Sequence, residues 1–125
     1  MRYLTQSFAV GALRRGRGIE QFLGPTDWHG VPAIRWVTVD PWSGRYRVAL
    51  HVAEDLDDEW RRDLANLPPL GPSEEYAGEG VELGMVVAET EAIALAEQLT
   101  GARPDRWVNF GVAGEDYADH VKARE

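Results

Sequence analysis

Alternation of apolar and polar side chains is clearest in the middle of the chain. Ala33-Ile34-Arg35-Trp36-Val37-Thr38-Val39 and Arg45-Tyr46-Arg47-Val48-Ala49-Leu50-His51-Val52 are rich in β-branched and aromatic residues, and Asp40-Pro41-Trp42-Ser43-Gly44 between them has turn chemistry. Together they predict an antiparallel hairpin. In its second strand Tyr46, Val48, Leu50 and Val52 face one way and Arg45, Arg47, Ala49 and His51 the other, the pattern of a strand with one wet face. The first strand is apolar on both faces and belongs nearer the sheet centre. Residues 81–88 and 106–112 read as further strands. Residues 5–13 read as another, although Gly11 and Ala12 are poor strand formers.

Helical spacing marks three segments. In 17–23, Ile19, Phe22 and Leu23 share a side and Gly24-Pro25 is a stop. In 91–100, Ala92, Leu95, Ala96 and Leu99 form a stripe, with Thr90 as N-cap, Glu91 suited to the dipole and Gly101 as terminator. In 114–122, Tyr117, Ala118 and Val121 point inward, with Glu115 and Asp116 in the first turn. Residues 57–67 fit either a helix on Trp60, Leu64 and Leu67 or an extended edge, and Pro68-Pro69 ends both. From 68 to 80 only Tyr76 anchors a loop of Pro, Gly and Glu. The expected fold is a single α+β domain over 1–125. It has a mainly antiparallel sheet of about five strands and two or three helices packed on one face.

At 125 residues with 44% hydrophobic side chains and five Trp, such a domain can bury a core without disulfides or metal. Cys is absent, which excludes disulfides, thiolate metal sites, iron–sulfur clusters and a Cys nucleophile, and fits a reducing compartment. The apolar run 8–13 is followed, not preceded, by Arg residues, so it does not read as a signal peptide. No run approaches the roughly 20 apolar residues of a membrane span. A cytoplasmic protein with no cofactor is the expectation. The preference for Arg over Lys, with abundant Ala and Gly, fits a GC-rich, actinobacterial genome.

Charge is divided along the chain. Residues 1–50 hold seven Arg against three acids, a net +4; residues 51–125 carry −12, and the total is −8. That balance disfavours nucleic acid, whose phosphates need a net basic surface. Three uses of the split can be distinguished. The Arg-rich half can pair with carboxylates of the same molecule, with a ligand, or with the acidic half of a second copy in a homodimer.

Arg14, Arg15 and Arg17, interleaved with Gly16 and Gly18 ahead of the expected helix at 17–23, form a candidate anion site. Neither a phosphate-binding loop nor a dinucleotide fingerprint is present. The run Glu54-Asp55-Leu56-Asp57-Asp58-Glu59 begins like a calcium loop, but Trp60 and Asn66 stand where Gly and the bidentate Glu are needed, so no metal is expected. With Glu74, Glu75 and Glu79 it forms instead a candidate acidic contact surface. Asp116 and His120 are one helical turn apart, a spacing that more often decorates a surface than performs acid–base work. His29 and His51 lie in a turn and on the wet strand face. None of Ser7, Ser43 and Ser73 sits in a nucleophile elbow. Trp28 and Trp42 fall in predicted turns, whereas Trp36, Trp60 and Trp107 read as core.

Two stretches, Leu13-Arg14-Arg15-Gly16-Arg17-Gly18-Ile19-Glu20-Gln21-Phe22-Leu23-Gly24 and Arg106-Trp107-Val108-Asn109-Phe110-Gly111-Val112-Ala113-Gly114-Glu115-Asp116-Tyr117, resemble segments of small actinobacterial proteins, some of them similar to immunity proteins of bacterial toxin systems. Their residues look structural and carry no catalytic role across. The resemblance implies a non-enzymatic module that blocks a basic protein partner. The expected contacts are Asp55, Asp57, Asp58, Glu59, Glu74, Glu75 and Trp42. The alternative is a small-molecule anion site or small enzyme on Arg14, Arg15 and Arg17, with His51 or His120 titrating.

Overall fold

Two tight turns set the sheet's register. The computed structural model describes residues 2–57, 64–70 and 80–124. In it β1 (Ile19–Trp28), β2 (Val31–Trp42) and β3 (Arg45–Glu54) are joined by the pairs His29-Gly30 and Ser43-Gly44. All four of these residues have positive φ, the signature of type I′ hairpin turns, whose twist matches that of the strands they join. Strand β4 (Val81–Val86) adds to β3, and the two-residue β5 (Val108–Asn109) adds to β1, giving the antiparallel order β4-β3-β2-β1-β5. Helices α1 (Gln6–Arg14), α2 (Glu89–Thr100) and α3 (Ala113–Ala123) complete an α+β domain, the expected class.

The helices divide between both faces of the sheet rather than sharing one. Val37 and Val39 of β2, Val48 of β3 and Ile19 of β1 pack against Ala9, Ala12 and Leu13 of α1 and Ala92, Ile93 and Ala96 of α2. On the opposite face Ile34, Trp36 and Ala53 meet Tyr117 and Val121 of α3 together with Leu64 and Leu67. The cause is β2, apolar at both parities, which needs cover on both sides. For the same reason β3 has no wet face, since Ala49 and His51 are buried and Arg47 is half-buried.

The first two elements are exchanged relative to the sequence expectation. Residues 5–13 are not a strand. The Thr5 side chain accepts the Phe8 N–H at 3.2 Å and caps α1, and Ala9, Ala12 and Leu13 supply its i, i+3, i+4 buried stripe. Residues 17–23 are not a helix but open β1. Ile19 and Leu23 pack on one face and Phe22 on the other, with a bulge between Phe22 and Gly24. Helix α2 starts earlier than expected, so Ala88 and not Thr90 is the N-cap. Its buried positions are Ala92, Ile93, Ala96 and Thr100, while Leu99 is exposed. Gly101 ends it in the left-handed conformation, as expected. Helix α3 buries Tyr117, Ala118 and Val121 as expected. Trp36 and Trp107 are core, as expected, and Trp28, expected in a turn, is the last residue of β1 and is half-buried beside His29.

Of the ambiguous 57–67, Leu64–Asn66 form a 3₁₀ turn and 58–63, with Trp60, lie outside the described residues. Residues 68–70 run along the end of β3, with the Glu54 N–H donating to Pro68 O and the Leu70 N–H to Val52 O. The remaining loop, with Tyr76, lies outside the described residues apart from Gly80.

Buried polar side chains tie the layers together. Glu20 accepts the Ala113 N–H at 3.1 Å, which places a carboxylate at the start of α3, whose own N-cap residue Val112 offers no side-chain acceptor. Gln21 bonds both the N–H and the carbonyl of Arg103. Replacing Glu20 by Ala is expected to cost about 2 kcal/mol in urea unfolding, with loss of exchange protection concentrated in the first turn of α3. Uniform loss of protection would contradict the capping role.

Candidate functional site

Opposite charge is used first inside the molecule. Arg2 reaches Glu115, Asp116 and Asp119 on α3 at 3.3, 2.6 and 2.7 Å. Arg14 pairs with Glu89 at 3.4 Å and Arg47 with Glu82 at 3.2 Å. Basic side chains from the first half of the chain thus neutralise acids of the second. Such partly exposed pairs contribute little stability each, but they decide which charges remain for a partner.

At the end of β3 the expected acidic surface is partly consumed. The Asp55 side chain is only 4% exposed, accepts the Tyr117 hydroxyl at 2.8 Å and the Asp57 N–H at 2.9 Å, and pairs with Arg124 at 2.9 Å. Burial alone would raise its pKa, but the hydrogen bonds from Arg124, Asp57 and Tyr117 more than offset this and hold it below the usual range. Asp55 is therefore an anchor of the fold, with no face left for a partner. Asp57 also meets Arg124 at 2.9 Å but stays 70% exposed, beside the exposed Leu56. Asp58, Glu59, Glu74 and Glu75 lie outside the described residues.

The residues flanking those acidic stretches are nevertheless well placed. Asp55 is tied to α3, Leu64 and Leu67 are buried, Pro69 bridges Ala53, and Gly80 abuts the His51 ring. All of them gather at the end of β3, so one end of the sheet anchors both stretches. Trp42 is 52% exposed, as a contact residue should be, but sits with Arg45 at the opposite end of the β2–β3 hairpin. A strand of ten residues, about 30 Å, separates it from Asp57. The Arg47 guanidinium lies 5.7 Å from its ring.

The Arg cluster is not the expected helix-N-terminal anion site. Arg14 ends α1 and Arg15 caps it, so the cluster stands at the carbonyl end, where the dipole favours cations and not anions. Arg14 is paired. Arg15 and Arg17 are exposed and make no ion pair among the described residues, and Arg17 lines an open cleft that no His enters.

Neither candidate titrating His is hydrogen-bonded to a carboxylate among the described residues. Asp116 is occupied by Arg2 and by the Tyr3 hydroxyl at 2.6 Å, and His120 packs on Phe22, so the Asp116–His120 pair does not form. His120 Nε2 is buried without a hydrogen-bond partner among the described residues. His51 is not on a wet face. It stacks on Trp36 at 4.8 Å, and its Nε2 lies 3.0 Å from Thr38 Oγ1. Burial, then Arg47, lowers its pKa to about 4. With Thr38 and His51 both at most 5% exposed, their hydrogen bond is closed to a substrate atom.

Among the described residues no group of three or more His, Asp or Glu is placed to hold a metal ion. No described helix is long and apolar enough to cross a membrane. No protein-family model, curated protein or solved structure matches the chain.

Proposed function

We propose that the protein is a non-enzymatic interaction module of the immunity or antitoxin type, whose acidic end binds and covers a basic protein partner. The observation that carries this reading is where the acid-rich segments of the sequence join the described fold. Segments 58–63 and 71–79 hold Asp58, Glu59, Asp63, Glu74, Glu75 and Glu79 against Arg61 and Arg62. Their flanking residues are fixed at one end of the sheet, next to exposed Leu56 and Asp57. An exposed apolar side chain beside an exposed carboxylate, with further acid next in the sequence, suits a contact steered by charge and held by local desolvation.

The test is capture of a partner with the full chain as bait, followed by association kinetics at two salt concentrations. A basic partner is expected, with an association rate that falls at least tenfold between about 20 and 200 mM salt. Asp57→Lys combined with Glu74→Lys and Glu75→Lys is expected to slow association by a similar factor. An acidic partner, or rates indifferent to both salt and these substitutions, would sink the proposal.

A further inference from the structure

At the other end of the sheet an open cleft of about 600 Å³ lies between the α1–β1 turn, the end of β2 and β5. Its volume falls in the range that small ligands occupy. Gly16, Arg17, Gly18, Asp40, Pro41, Asn109 and Phe110 line it. Two opposite charges face this space without being spent on each other. The Arg17 side chain makes no hydrogen bond or ion pair among the described residues, its backbone N–H donating to Ala12 O at 2.9 Å, and Asp40 feels the charge of Arg47 but forms no ion pair among them. Thr38 and Arg47 favour the ionised Asp40 carboxylate, against its burial. The Phe110 ring is 68% exposed, and its backbone is pinned where the Phe110 N–H donates to Gly18 O at 3.1 Å. Gly18 keeps the space open, since a Cβ there would overlap Asp40 Oδ1.

We propose that this cleft binds a small zwitterion of the amino-acid type, with its carboxylate on Arg17, its ammonium on Asp40 and its apolar body against Phe110 and Pro41. The paired charges select this class. A simple anion would meet the Asp40 carboxylate as well as Arg17, and a simple cation would meet Arg17 as well as Asp40; each leaves one protein charge facing a like charge. Half-burial raises the Asp40 pKa, so an adjacent ammonium relieves a desolvated carboxylate rather than a hydrated one. The site is independent of the acidic end and of any partner bound there.

The test uses amide chemical-shift perturbation of the full-length, isotope-labelled chain. L-phenylalanine is compared with phenylpropionate, which lacks the ammonium, and phenethylamine, which lacks the carboxylate. L-phenylalanine is expected to shift the amides of Gly16, Gly18, Asn109 and Phe110 with millimolar affinity, and the two singly charged probes to bind at least about tenfold more weakly. Arg17→Ala and Asp40→Asn should each weaken L-phenylalanine roughly tenfold, and Gly18→Ala, whose Cβ displaces the Asp40 carboxylate, should do the same. Arg17 is exposed, so its variant tests the site without threatening the fold. The proposal is overturned if these amides do not move, if either singly charged probe matches the zwitterion, or if affinity survives both Arg17→Ala and Asp40→Asn.

Discussion

Acidification from pH 7 to pH 4 is expected to remove about 3 kcal/mol of folding stability through His51 alone. The ring is sandwiched between Trp36 and Gly80, and Arg47 is the charged group that reinforces the effect of burial. The native pKa of about 4 lies below the ordinary value of 6.5. Between those two values the unfolded chain binds a proton that the folded chain refuses. Stability from this group is therefore complete above the unfolded pKa and is lost as pH falls through the window toward the folded one. Asp40 works in the opposite sense, because burial raises its pKa and its protonation favours the folded state as pH falls. Asp55 is depressed, so its contribution is lost only below the ordinary carboxylate range, after most of the His51 effect. Urea unfolding at pH 7, 5.5 and 4 separates these contributions. His51→Gln, which preserves a donor toward Thr38, should flatten the profile across that window while costing about 1 kcal/mol at pH 7. A wild-type profile no steeper than that of the variant would show that His51 charges freely in the folded state.

The same residue shows where sequence reading stopped. A wet face for His51 followed from the alternation of β3 taken by itself. The turn chemistry spans 40–44, but the hairpin closes through Ser43-Gly44 alone, and that register sets His51 opposite Trp36. The positive-φ tolerance of Gly44 was a usable signal for the shorter turn. Likewise, β2 was legible as a strand apolar at both parities, and cover on both faces follows from that property. The exchange of strand and helix before residue 24 has a different cause. Ile19, Phe22 and Leu23 fit either period, and the buried Glu20 and Gln21 that look helical serve the Ala113 and Arg103 backbones. Those partners lie more than 80 residues away, beyond any local pattern. The charge split was legible, and so was its main use, with Arg2, Arg14 and Arg47 reaching acids of the second half. The placement of Arg17 and Asp40 on one cleft was not, because it depends on three elements meeting at the sheet's end.

Truncating Tyr117 is expected to be the most damaging single change in α3, at about 4 kcal/mol for Tyr117→Ala. Its ring is fully buried and meets Phe22 edge-on at 6.0 Å. The other residues that α3 buries are Ala113, Gly114, Ala118 and Val121, all small, so no neighbour on the helix can fill the space. Its hydroxyl has a second function, since it holds Asp55, the residue from which the chain enters the acidic stretch. Tyr117→Phe keeps the ring and leaves Asp55 to Arg124 and the Asp57 N–H, at a cost of about 1 kcal/mol. The two variants therefore separate packing from anchoring. Thermal unfolding should fall by roughly 10–20 °C for Tyr117→Ala and by a few degrees for Tyr117→Phe. If the acidic end acts as proposed, Tyr117→Phe should slow partner association more than its stability cost explains, because it loosens the base of the contact surface while leaving every exposed carboxylate in place. Equal losses of stability in the two variants would mean that the hydroxyl, not the ring, fastens α3 to the sheet.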